Sequence, residues 1–135
     1  MESEIMELLF ARLSSFVASP TLPIAWPNVS FAPPSNHRYL RVRFVPNVAN
    51  RITIDSDGPH QLLGLLQVSV YWTKGVGEKD ARNVAAAVAS HFPTDLRLNS
   101  GSLSVRISKR PDVRDMMVED VAIQIPVMIA WECFA

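Results

Sequence analysis

Val121-Ala122-Ile123-Gln124-Ile125-Pro126-Val127-Met128-Ile129-Ala130-Trp131 alternates large apolar residues with smaller or more polar ones at a period of two. That period puts Val121, Ile123, Ile125, Val127, Ile129 and Trp131 on one face of a β-strand, turned inward to a core. The stretch is about half the roughly 20 residues needed to span a bilayer, and it carries Gln124 and Pro126, so it reads as a strand and not a membrane anchor. Pro126 cannot donate a ladder hydrogen bond, which favours an edge position or a bulge. An edge strand is a place where subunits could join.

Working back from this strand, Leu103, Val105 and Ile107 give a shorter one, and Ser100-Gly101-Ser102 before it is assigned to a hairpin. The stretch Lys109-Arg110-Pro111-Asp112-Val113-Arg114-Asp115 is the most polar connection in the chain and is expected to be an exposed loop. Glu78, Lys79 and Asp80 open a helix with Ala81, Val84, Ala85, Val88 and Phe92 on one stripe, closed by Pro93. Gly75-Val76-Gly77 joins it to a longer strand, Leu63 to Trp72, whose inward face is Leu66, Val68, Val70 and Trp72.

Earlier still, Leu40, Val42 and Phe44 face one way and Tyr39, Arg41 and Arg43 the other, so one face meets a core and the other meets water or a partner. Arg51 to Ile54 reads as a short strand entering the turn Asp55-Ser56-Asp57-Gly58-Pro59. From Ser3 to Ala18, Ile5, Leu8, Leu9, Leu13, Phe16 and Val17 recur at helical spacing, with Ser3 as a cap and Pro20 as a stop. Between helix and strand, residues 20–37 hold Pro23, Pro27, Pro33 and Pro34, which forbid a regular helix and predict an extended arm. Its Leu22, Ile24, Trp26, Val29 and Phe31 are too apolar for a solvated linker, so they are expected to lie along the body or a neighbouring subunit. Helix, strands, helix, strands gives an α+β fold, two helices packed on a mainly antiparallel β-sheet.

The chain has 135 residues with 48% hydrophobic content, which predicts one domain over 1–135 with one core. Thirteen basic and thirteen acidic residues cancel, so no net field draws it to nucleic acid or an anionic membrane. The lone Cys133 excludes an internal disulfide and a multi-cysteine zinc site, and a reduced cytoplasm suits it. Glu2, Glu4 and Glu7 stand where a signal peptide needs positive charge, so export by that route is not expected.

Chemistry is sparse. His37, His60 and His91 have no HxxxH or HExxH spacing, so neither a metal nor a cofactor is expected, and His91 suits a helix C-terminus. No serine sits in a Gly-x-Ser-x-Gly turn, and Gly75 and Gly77 lack the third glycine or the lysine-threonine pair of a phosphate loop. The pairs Asp55 with Asp57 and Asp112 with Asp115 are explained by turn formation. Arg38, Arg41, Arg43 and Arg51 form the one notable basic cluster; a solvated face is one reading, and an intersubunit ion-pair face meeting Asp55 and Asp57 is the other. No catalytic residue is assigned.

The run Leu22-Pro23-Ile24-Ala25-Trp26-Pro27-Asn28-Val29-Ser30-Phe31-Ala32-Pro33-Pro34, followed by Tyr39-Leu40-Arg41-Val42, resembles a family of small phage proteins grouped with tail terminators. Gly64-x-Leu66-Gln67-Val68-x-Val70, the alanine-rich helix, Leu103-x-Val105-Arg106-Ile107 and the closing strand follow in the family's order, so the resemblance runs from about Ile5 to Trp131. It implies a structural virion protein and not an enzyme. Such a protein forms a ring, commonly of six copies, that caps the finished tail tube and offers a surface to the head. Its partners would be itself, the tail-tube protein and the head-tail connector, with no membrane, and DNA only as the genome passing through the lumen. It would reside in the virion tail, and in the host cytoplasm during assembly. Ring contacts are expected at Trp26, Phe31, Arg41 and Arg43. Tube or head contacts are expected on the loops carrying Arg51, Asp55 and Asp57, and Arg110 and Arg114. The alternatives are a head-completion, neck or tail-tube protein of the same virion, a small hydrolase or nucleotide-binding enzyme using His60 with Asp55 or Asp57, and a solitary binding module.

Overall fold

A computed structural model describes residues 2–16, 22–51, 60–101 and 103–134. In chain order the elements are α1 (Glu2–Ser14), β1 (Ile24–Ala25), β2 (Tyr39–Arg51), β3 (His60–Thr73), α2 (Lys79–His91), β4 (Arg97–Ser100), β5 (Leu103–Ile107), β6 (Asp112–Val113), β7 (Met117–Val118) and β8 (Ala122–Phe134). The strands form one sheet in the order β1-β2-β3-β8-β5-β4, with β6 and β7 also paired to β8. Every pairing is antiparallel except that of β1 with β2. The α+β expectation holds.

The core lies on one face of this sheet. Leu66, Val68, Val70 and Trp72 of β3 and Ile123, Ile125, Val127, Ile129 and Trp131 of β8 are buried there, as their alternation requires. α2 closes over them with Ala81, Val84, Ala85 and Val88, whose small side chains let the helix approach the strands closely. α1 adds the fully buried Ile5, Leu9 and Leu13, spaced one helical turn apart on one stripe.

Several expectations need correction. α1 begins at Glu2, so Ser3 lies within the helix and is not its cap, and the helix ends at Ser14. There Ser14 Oγ and Ser15 Oγ turn back onto the carbonyls of Ala11 and Arg12, at 2.8 and 2.6 Å. Val17, Ala18 and Pro20 lie outside the described residues. Arg51 is the last residue of β2, which runs from Tyr39 and accommodates Pro46 by a bulge between Pro46 and Val48; the rest of the strand expected to Ile54 and the turn Asp55 to Pro59 lie outside the described residues. Val121 is 62% exposed and precedes β8, because the chain is still turning there out of β7. The polar 109–115 connection is not wholly a loop, since β6 pairs with Val127 and Met128 and Pro111 is buried.

Pro126 is the clearest departure. β8 is not an edge strand: it pairs with β3 along its whole length and with β5, β6 and β7 on its other side. The Pro126 carbonyl accepts the Arg114 N–H at 2.8 Å, so the proline's missing donor faces Arg114 as well. The Arg114 carbonyl left without that donor receives Arg82 Nη1 of α2 at 3.1 Å. A central proline is tolerated because a side chain supplies the hydrogen bond that the ring nitrogen cannot.

Candidate functional site

The sheet face turned away from the core is mixed in character. Its register aligns Tyr39, Tyr71, Gln124 and Met117 in one row across β2, β3, β8 and β7, and Arg43, Gln67, Met128 and Asp112 in another across β2, β3, β8 and β6. Tyr39 and Tyr71 stack with centroids 4.6 Å apart and planes 3° from parallel, and Phe31 of the arm packs on Tyr39 at 5.0 Å. Tyr39 is therefore buried, although its position on β2 assigned it to water or a partner. Arg41 spans both rings, at 5.7 and 5.8 Å from their centroids. Contact with the Tyr39 hydroxyl, against the cost of burial, raises its already high pKa.

Tyr71 and Arg41 line a cleft of about 550 Å³ walled by the Trp26–Ser30 turn of the arm, with Arg43, Gln67, Ser69 and Gln124 also in its lining and no carboxylate. The arm reaches this position because β1 pairs beside Leu40 and Arg41, and Asn28 adopts a left-handed φ of 56° that turns the chain. Trp26 is half-buried against Phe10 of α1, with ring centroids 5.0 Å apart. Of the arm's apolar residues, Leu22, Ile24, Trp26 and Phe31 are partly buried against the chain's own body, whereas Val29 is 62% exposed.

The basic cluster divides. Arg38 lies 4.3 Å from the Trp72 ring centroid and donates to Thr73 Oγ1 at 2.8 Å, which makes it a packing residue. Arg41 and Arg43 line the cleft. Arg51 pairs with His60 in the β2–β3 ladder, while Asp55 and Asp57 lie outside the described residues. Arg110 lines a second groove, about 710 Å³, between Ala86, Ala89 and Ser90 of α2 and the segment leading into β6. Lys109 bonds Asp112 at 3.0 Å, holding that carboxyl below its usual pKa, with a weaker contribution from Arg114. Arg114 itself is exposed and 3.9 Å from the same carboxylate.

Sequence reasoning missed three features. Arg106 of β5 forms ion pairs with Glu132 of β8 and Asp95, and the nearly buried Glu132 also accepts Gln61 Nε2 at 3.2 Å. Their opposition appears only when the strands are in register. The Met117–Val121 turn projects Met117, Val118 and Val121, all substantially exposed, around Glu119 and Asp120. Finally, Ser15 Oγ lies 2.9 Å from His91 Nε2. The same nitrogen lies 2.8 Å from the Arg12 carbonyl, which can only accept, so it carries the proton and is no base toward Ser15. That pair is a helix clasp. The Cys133 thiol is buried, and burial pushes its pKa up against a weaker pull from the Ser104 backbone, so it is held as the unreactive thiol.

No described helix is long and apolar enough to cross a membrane. A two-helix α+β fold with a cationic cleft lined by Trp26 and Tyr71 and, beside it, an exposed acidic-apolar turn has the surfaces of an assembly protein. The profile of the phage tail terminator protein family matches residues 4–131, and the chain belongs to that family. Its role is therefore structural, in the phage virion tail, in contact with other tail components. One solved chain is similar at 30% sequence identity and a TM-score of 0.74, covering 95% of this chain and 94% of that one. No curated protein matches the sequence.

Proposed function

We propose that residues 1–135 act as one domain and one copy of a closed ring, six being the number common in such assemblies, which caps the finished tail tube and carries the surface to which the head attaches. The observation that supports this reading is a pair of unlike surfaces on the subunit: the Arg41/Arg43 cleft, and the exposed acidic turn after β7, whose Glu119 is held by Gln124 of the cleft lining. A ring closes through a heterologous contact, which needs two different patches on each subunit. The arm residues Trp26 and Phe31 shape the first patch, and the loops bearing Arg51, Asp55 and Asp57, and Arg110 and Arg114, are the proposed tube and head contacts. Partners are further copies of the chain, the tail-tube protein and the connector, met in the host cytoplasm during assembly, with DNA only passing through the lumen. The test is light scattering across a concentration series, alone and with purified tail tubes. A closed ring, alone or on tube ends, is the expected result; a chain that stays monomeric in both settings overturns the reading, and unlimited growth into tubes would make it a tube protein.

A further inference from the structure

Arg41 and Arg43 occupy alternate positions of β2, so their guanidinium groups leave the same side of the strand, with Cα atoms roughly 7 Å apart. Both residues are exposed and both line the cleft. Neither has a carboxylate partner among the described residues, where the ion pairs involve Arg82, Arg106, Lys109 and Arg114. The acid beside the cleft, Glu119, is held by Gln124 Nε2 at 2.8 Å on the Tyr71 row, while the arginines stand two strands away on the rows of Ser69 and Gln67.

Two carboxylates at the same two-residue spacing would match this pair. Glu2 with Glu4, and Glu78 with Asp80, have that spacing but belong to α1 and to the start of α2, where residues two apart face different sides. Asp55-Ser56-Asp57 is the remaining case, and no basic residue falls between Ile52 and Pro59. Ile54 beside Asp55 also offers an aliphatic side chain to Val29, the exposed apolar residue of the cleft wall.

Chain length decides which copy supplies the acids. Residues 52–59 join Arg51 to His60, the last pair of the β2–β3 ladder. The main chain can carry Asp55 at most about 14 Å from Arg51, and Asp57 at most about 11 Å from His60. Along β2, Arg43 and Arg41 lie about 26 and 33 Å before Arg51. Even with every side chain extended, the two carboxylates of one copy fall short of its own two guanidinium groups. We infer that the occupant of the Arg41/Arg43 cleft is the Asp55-Ser56-Asp57 segment of a second copy of this chain, its carboxylates on the guanidinium groups and Ile54 toward Val29. Loop and cleft are unlike surfaces far apart on one subunit, so the contact is heterologous and repeats from copy to copy. It rests on the ring reading, moves Asp55 and Asp57 from the tube to the ring seam, and leaves the side of β6, with Arg110 and Arg114, to tube and head.

Two charge reversals test it by light scattering, Asp55→Lys/Asp57→Lys in the loop and Arg41→Glu/Arg43→Glu in the cleft. Each variant alone should assemble only at protein concentrations about tenfold or more above wild type, because like charges then meet at every contact. An equimolar mixture of the two should assemble near the wild-type concentration, since the loops of each chain then fit the clefts of the other in alternation. Thermal unfolding shows whether Arg41→Glu disturbs the tyrosine stack beneath it; in that case Arg43→Glu, at an exposed position without an ion pair, replaces it and should give the same shift, reduced. Wild-type rings with unaffected variants, or a mixture no better than its two parts, overturn the contact and leave the ring reading standing. A wild-type chain that is monomeric alone and with purified tail tubes overturns both.

Discussion

Arg12 and His91 each donate a side-chain N–H to the other's main-chain carbonyl, Arg12 Nε to His91 O at 2.9 Å and His91 Nε2 to Arg12 O at 2.8 Å. Both residues sit in the last turn of a helix, where carbonyls lack partners within the helix; the His91 carbonyl receives Arg12, and the Arg12 carbonyl receives His91 beside the Ser15 hydroxyl and N–H. Phe16 packs edge-on against the same imidazole at 5.5 Å. Arg12→Ala and His91→Ala are each expected to destabilise the monomer by about 1 kcal/mol. Each single change leaves the other bond's donor and its main-chain acceptor in place, so any saving in the double variant comes from the shared seating of the two helix ends, and on that ground it should cost less than the sum. Urea unfolding of the four proteins measures the coupling, and strict additivity would show that the two bonds act separately.

Gly64 faces Trp131 across the β3–β8 ladder, and a Cβ there would stand 2.3 Å from Trp131 Cζ2 and 2.6 Å from the Val45 carbonyl oxygen. Trp131 is itself fixed by stacking with Phe44 at 5.5 Å. Gly64→Ala should therefore destabilise by about 3 kcal/mol through overpacking, read as a lower urea midpoint. An unchanged midpoint would mean that the indole shifts freely.

Trp26→Ala removes the ring that joins the arm to Phe10 of α1. Half-burial limits the loss to about 2 kcal/mol of monomer stability. The larger effect expected is on assembly, because the same residue walls the cleft. A variant with normal stability and normal assembly would show that the arm is a passive connection.

Tyr71 titrates above the ordinary 10.0 of a tyrosine, chiefly because it is buried, with the charge of Glu119 and the neighbouring Tyr39 adding and Arg41 opposing. The sign follows from linkage: the unfolded chain releases the proton first. The stabilisation from this group is full below about pH 10 and is lost as pH rises through the higher folded value. Tyr71→Phe should flatten that alkaline fall, measured as urea midpoints between neutral pH and the alkaline limb. Parallel curves for the two proteins would assign the alkaline loss to other groups.

Much of the fold was legible because period and burial coincide. The alternation of Leu66, Val68, Val70 and Trp72 and the helical stripe of Ala81, Val84, Ala85 and Val88 marked the core face directly. Pro126 misled because proline's lost donor was weighed without the Arg82 side chain that replaces it, a contact 32 residues away from Arg114 in sequence. Tyr39 misled because alternation assigns a face but does not say whether Phe31 and Tyr71 cover it. Of the candidate site, Trp26, Arg41 and Arg43 do converge in one cleft, and Arg110 and Arg114 lie elsewhere, by β6. The Met117–Val121 turn carried a readable signal, acids between aliphatics, that was hidden by reading Val121 into the strand that follows.

The carbonyl of Arg114, served by Arg82 opposite Pro126, also works as a registration mark. β6 and β7 lie on β8 with registers offset by one residue, as the pairs Val113 with Val127 and Met117 with Gln124 show. Sliding this segment along β8 would bring some other residue opposite the proline, out of reach of Arg82, and strand an acceptor with nothing to fill it. A single position on β8 thereby indexes the whole 112–118 segment, and with it how far the acidic turn stands out from the sheet.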